Sequence, residues 1–187
     1  MRHSLGLIMR KEDKGEYDQL LTVYTKTYGK IDIIARGIRK TGAKLTGHVG
    51  LFYLSEIGFV SGTHMPVLTF AKEVVHFSKL TDEVIKIQTA RRIAHLMHHY
   101  IPYKEKDEDM FHLIVGAFDY MQRKIMTPLE LKFFTRYFEF QFLRILGYEP
   151  EDKTIINAFH SDTILLSEYE LDRLAHVFEK HFVIINQ

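Results

Sequence analysis

The 187-residue sequence contains no cysteine and no tryptophan. Without cysteine there is no disulfide framework, no cysteine-ligated zinc and no thiol nucleophile. Cysteine-free usage fits a reducing compartment. Apolar runs are short everywhere, and none reaches the length that spans a bilayer. The opening MRHSLGLIMRKEDKGE has only a brief apolar run and no small-residue cleavage site, so it reads as something other than a secretory signal. A soluble cytoplasmic protein is expected. Charge of one sign is also lacking, since the formal net charge is +1. G-x-x-x-x-G-K-[ST] and G-x-S-x-G are absent, and no carboxylate pair stands out, so an enzyme is not expected.

What is present is ordinary globular composition, with 46% hydrophobic and 26% charged residues. Cations concentrate early, with ten basic against five acidic residues among the first fifty. Net charge is +4 over residues 1–77 and −3 over 78–187, which suggests two modules with different partners. The central stretch is Lys30 to Gly47. Ile31, Ile33 and Ala35 alternate with Lys30, Asp32, Ile34 and Arg36, as in a half-buried strand. The strand then breaks into a loop punctuated by Gly37, Gly42 and Gly47 and carrying Arg36, Arg39, Lys40 and Lys44. From these residues alone, a phosphate-contacting surface and a plain solvated loop are both open readings.

Around that stretch the spacing predicts strands over Leu5–Arg10, Tyr17–Thr25, Leu51–Val60 and Pro66–Phe77, with a turn at Asp13-Lys14-Gly15-Glu16. Five short strands in under eighty residues match the size of an OB-fold. From Ser78 the pattern turns helical. Helices are expected from Thr81-Asp82-Glu83 to Tyr100, from an Asp107 cap to Lys124, from a Thr127-Pro128-Leu129-Glu130 start to Leu146, and from a Ser167/Glu170 capping box to His181. Thr154–Leu166 is weakly patterned. The fold class is thus α+β: a five-stranded OB-fold β-barrel over 1–78, then a helical domain over 79–187.

Gly6-Leu7-Ile8 with Arg10, Asp13–Leu21 (DKGEYDQLL), Thr25, Tyr28-Gly29-Lys30, Ala35-Arg36-Gly37-Ile38-Arg39-Lys40 and Leu45 resemble, in order and spacing, the RecO recombination-mediator family. Phe142-Leu143-Arg144-Ile145-Leu146-Gly147-Tyr148 is similar to that family's helix end. The resemblance implies an OB-fold that binds single- and double-stranded DNA and anneals complementary strands in DNA repair and recombination. It also implies contacts with RecR and with the acidic C-terminal tail of single-strand-binding protein, cytoplasmic and nucleoid-associated localisation, and no covalent chemistry. Many members carry a four-cysteine zinc module after the "LGY" helix end. Here Glu149-Pro150-Glu151-Asp152-Lys153 follows, so this resembles a short form without that module, and no metal or other cofactor is expected.

The DNA-contacting candidates are Arg10, Lys11, Lys14, Lys30, Arg36, Arg39, Lys40 and Lys44, which would grip phosphates without reading sequence, as annealing requires. Among the aromatics Tyr17, Tyr24, Tyr28, Phe52 and Tyr53, packing is the commoner role, and Tyr28, in a turn between cations, is the best stacking candidate. An acidic tail with an apolar end needs an apolar groove rimmed by cations, for which Arg123, Lys124, Lys132, Phe133, Arg136 and Tyr137 are candidates. His95, His98 and His99 share a helix face. A metal site there lacks the H-E-x-x-H glutamate and faces Arg91 and Arg92, so a solvated or anion-binding face is preferred. The alternative of another class is a non-catalytic adaptor whose OB-fold no longer binds DNA.

Overall fold

The computed structural model describes residues 1–148, 159 and 167–185. The chain forms two compact units. The first contains five strands: β1 (Arg2–Lys14), β2 (Asp18–Thr25), β3 (Gly29–Ala35), β4 (Tyr53–Val60) and β5 (Val67–His76). They close into a barrel in the order β1-β2-β3-β5-β4, the arrangement expected of an OB-fold. Neighbours run antiparallel except β3 and β5, which meet in parallel at Ile34 and Val67. Alternation puts Ile31, Ile33 and Ala35 inward with Ile8, Leu21, Val23, Ile57 and Phe59. Their burial, at roughly 25 cal/mol per Å² of apolar surface, is what holds the barrel closed.

β1 is longer than its apolar run suggests. A bulge between Ile8 and Arg10 bends it, and pairing continues to Lys14 opposite Asp18. The expected four-residue turn therefore shrinks to Gly15-Glu16-Tyr17, with Gly15 at φ +65°. The β-ladder, rather than composition, keeps Asp13 and Lys14 in the strand.

Residues 101–111, which belong by sequence to the helical half, pack with the barrel. Of these, residues 101–105 form a strap along β3. The Lys104 N–H donates to the Lys30 carbonyl at 2.9 Å, and Tyr103 pairs with Lys30 as an isolated parallel bridge. The Tyr103 hydroxyl donates to Asp32 at 3.1 Å, and the Tyr24 hydroxyl to the Asp107 carbonyl at 3.4 Å. Burial, reinforced by Asp107 and Glu105, pushes the Tyr24 phenol far above its ordinary value, so it stays a neutral donor.

The second unit is helical. The expected helix to Tyr100 starts earlier and is broken: α1 (Ser78–Asp82) is separated from α2 (Val84–Tyr100) at Glu83. Glu83 accepts a 2.9 Å bond from the buried Lys86 ammonium, which also donates to the Lys124 carbonyl at 2.9 Å. α3 (Glu108–Arg123) is capped by Asp107, whose side chain accepts from the Met110 N–H at 2.8 Å. α4 (Pro128–Ile145) opens with a reciprocal capping box between Thr127 and Glu130, with proline in the first turn. It ends at Gly147, at φ +82°. Phe138, Phe140 and Phe142 are buried, so α4 has neighbours on more than one side. α5 (Glu168–Ile185) starts on the Ser167/Glu170 box and runs past His181. Phe182 continues the buried stripe of Leu171, Leu174 and Phe178 and packs on Tyr100 and Phe142. The readings at Glu149–Lys153 and most of Thr154–Leu166 lie outside the described residues. No helix among the described residues is long and apolar enough to cross a membrane.

Candidate nucleic-acid interface

The basic loop after β3 is a folded element. Ile38 and Val49 are buried in the barrel core and anchor its two ends. Between them, successive turns are closed by Lys40 N–H to Gly37 O at 3.1 Å and Ala43 N–H to Lys40 O at 3.0 Å. Gly37 and Gly42 take positive φ, which suits glycine at such turns. The Thr46 hydroxyl donates to the Ile38 carbonyl at 2.5 Å and closes the base. A 3₁₀ turn (Thr46–His48) leads on toward β4.

This loop is tied to the β1–β2 turn. The Arg39 N–H donates to the Tyr17 carbonyl at 3.0 Å, and the Gly37 N–H to the Asp18 carboxylate at 2.7 Å. The Arg39 guanidinium reaches Asp13 at 3.1 Å and the Gly15 carbonyl at 3.4 Å. The Lys40 ammonium lies 5.2 Å from the centre of the Tyr17 ring. Turn and loop thus make one composite tip. It exposes Lys14, Arg36, Arg39, Lys40 and Lys44. Asp13 and Asp18 are occupied by the contacts just described, and the Glu16 carboxylate bonds the Tyr17 hydroxyl, holding that phenol above its ordinary value. Cations held on a preformed scaffold suit backbone phosphates, because little ordering is needed on binding.

The other barrel candidates are placed differently. Arg10 pairs with Glu12 at 2.6 Å on the solvent face. Lys11 is half-buried, and burial lowers its pKa against the pull of Asp13. Lys30, expected among the DNA contacts, is instead 2% exposed, its ammonium 4.4 Å from the Tyr103 ring centre beneath the strap, so it is not on a DNA-contacting surface. Burial lowers its pKa, with Asp32 opposing. Tyr28 packs edge-on against Phe59 at 5.4 Å and supports the core, while the Arg2 guanidinium lies 5.9 Å from its ring. Tyr24 and Phe52 are buried, and Tyr53 lies on His76. The exposed aromatic at the tip is Tyr17. Its place as the last residue of the Gly15-Glu16-Tyr17 turn was the available signal.

In the helical unit a groove of about 760 Å³ runs between α3 and α4. Lys124, Phe133 and Tyr137 line it, with Tyr120, Phe134 and Phe159. The remaining rim candidates are committed elsewhere. Arg123 pairs with Asp119 at 2.9 Å, Lys132 with Glu168 and Asp172 of α5, and Arg136 with the buried Glu139. On α2 the His95 and His99 rings lie tilted against each other with centroids 4.0 Å apart, and His99 Nδ1 lies 2.9 Å from the His95 carbonyl. Burial, with His99 and Arg92 adding, lowers the His95 pKa, which favours a neutral ring.

Residues 1–77 match the family model described as Recombination protein O N terminal. The barrel is thus similar to the N-terminal part of the RecO family. Relatives extend the likeness beyond it. A DNA repair protein RecO from Dehalococcoides mccartyi is 27% identical over 88% of this chain and 63% of its own length. One from Roseiflexus sp. is 27% identical over 78% of the chain and 50% of its own length, and one from Halalkalibacterium halodurans 26% over 78% and 56%. The chain thus spans about half to just under two thirds of the lengths of these RecO relatives.

Proposed function

We propose that this chain acts in DNA repair and recombination as a RecO-type protein. It binds single- and double-stranded DNA without sequence preference, anneals complementary strands, and assists recombinase loading with RecR and single-strand-binding protein, without covalent chemistry. The observation that carries this reading is the composite tip, where five exposed cations sit on one braced turn-and-loop surface of an OB barrel. Phosphate contacts of this kind give affinity for any strand and a steep salt dependence.

Fluorescence anisotropy of labelled oligonucleotides tests it on the wild type and on an Arg36/Arg39/Lys40/Lys44→Ala variant. The variant should bind at least about tenfold more weakly, and its slope of log affinity against log salt should fall by about three, near 0.7 per lost single-strand phosphate contact. Melting curves check that the variant is folded. Equally negligible binding by both proteins refutes the DNA reading and leaves the adaptor.

The α3–α4 groove favours the partner-tail part of the proposal, since it is aromatic-lined and has Lys124 at its margin. The Lys124 carbonyl, and not its ammonium, receives the Lys86 bond, so its side chain can be changed without breaking that link. A labelled peptide with acidic residues before an apolar carboxyl terminus should bind, and Lys124→Glu should weaken it roughly tenfold by like-charge repulsion. Absence of binding to the wild type rejects the groove as the receptor.

A further inference from the structure

Tyr17 has a surface position that neither the strand pattern nor the charge pattern explains. Its side chain is 43% exposed at the β1–β2 turn, where an aromatic ring gains little by burial. Its backbone carbonyl accepts from the Arg39 N–H at 3.0 Å. The Lys40 ammonium stands 5.2 Å from the ring centre. The ring is therefore accessible on a fixed backbone, with the phosphate-attracting cations Arg39 and Lys40 beside it.

The other exposed tyrosine of the described barrel unit, Tyr103, is in a different setting. Its hydroxyl is bound to Asp32, and Glu105 and Asp107 follow it in the chain. The buried Lys30 ammonium lies 4.4 Å from the Tyr103 ring centre, so one face of that ring is packed within the barrel unit. Tyr17 is accessible, and the cations beside it, Arg39 and Lys40, are themselves exposed.

We propose that Tyr17 is a stacking platform for one unpaired base, and that it makes the composite tip favour single strands over duplex. This rests on the DNA-binding reading of the tip. The cations hold phosphates of either form. A planar ring adds affinity only where a base is free to leave its neighbours, because every base has a π-face but duplex bases are already stacked. The contribution is sequence-tolerant, as annealing demands, and it is lost once the base pairs with its complement. Tyr17 would therefore hold a strand before pairing and hold the paired product less tightly.

The absence of tryptophan supplies a direct probe. In Tyr17→Trp the single indole reports on that position alone. Saturating oligothymidylate should quench its emission, and a duplex of equal length should leave it nearly unchanged. In anisotropy titrations Tyr17→Leu should lose about tenfold in single-strand affinity and keep duplex affinity, while Tyr17→Phe retains both. Unchanged indole emission when anisotropy shows bound single strand overturns the stacking role, as does an equal loss of both affinities in Tyr17→Leu. If the wild type binds neither form, the DNA reading itself fails. Binding of both forms with no effect at Tyr17 removes only the platform.

Discussion

Gly29→Ala is expected to destabilise the barrel unit by about 3 kcal/mol, while Gly15→Ala costs only about 1 kcal/mol. Both glycines sit at φ +65°, so both substitutions carry the same left-handed penalty. Their surroundings differ. A Cβ on Gly15 meets nothing within 4 Å. One on Gly29 would fall 1.9 Å from the Glu105 carbonyl oxygen and 2.5 Å from its carbon. Those are backbone atoms, so no rotamer change relieves the clash, and the strap must lift. Lifting it breaks the Lys104–Lys30 backbone bond and the Tyr103–Asp32 bond, and uncovers the Lys30 ammonium. Denaturant unfolding of the two variants measures the difference, and amide exchange at Lys104 locates it. Equal losses in the two variants would show that the strap contributes nothing to barrel stability.

The same strap marks where sequence reasoning reached its limit. Alternation of Ile31, Ile33 and Ala35 made β3 legible, because a period of two depends only on the strand itself. Lys30 lies on the opposite face of that pattern and reads as a surface cation. The element that buries it arrives from residues 101–105, and no local pattern announces a cover from so far along the chain. The helix caps at Thr127 and Ser167 were legible for the reason that β3 was: capping is a four-residue interaction. The rim cations divide along the same line. Arg123 with Asp119 and Arg136 with Glu139 are neighbours at helical spacing, so their commitment could have been read beforehand. Lys132 is taken by Glu168 and Asp172 of α5, which required the tertiary fold. At the tip the loop cations were found, but their bracing was not. The Arg39 bonds to Asp13, Gly15 and Tyr17 join segments more than twenty residues apart, and the packing of Tyr28 on Phe59 is likewise a contact between distant segments.

Glu139→Ala should be the most damaging single change in the helical unit, costing about 3–5 kcal/mol. Glu139 lies in the aromatic run of α4 and is completely buried. It accepts from Arg92 Nε of α2 at 2.8 Å and from Arg136 Nη1 one turn away. Burial pushes its carboxyl above the usual range, with Arg136 and then Arg92 opposing. Bringing this carboxylate out of water therefore costs more than its two partners return, yet removing it leaves two partly buried guanidiniums without their acceptor. The two statements separate experimentally. Because folding raises the pKa of Glu139, the folded chain binds its proton more readily than the unfolded chain, and the group favours the fold most at low pH. Its contribution should decline as pH climbs past the ordinary 4.5 and level off above the raised folded value. Urea unfolding as a function of pH should thus show the wild type losing ground to Glu139→Gln across that window, with Glu139→Ala less stable than both throughout. Replacing all three members together, with leucine at 139 and methionine at 92 and 136, should recover most of the loss, since apolar packing then substitutes for a charge cluster whose desolvation was never fully offset. A triple variant as unstable as Glu139→Ala would mean that the cluster is a net source of stability, and that the arginines' pull outweighs burial.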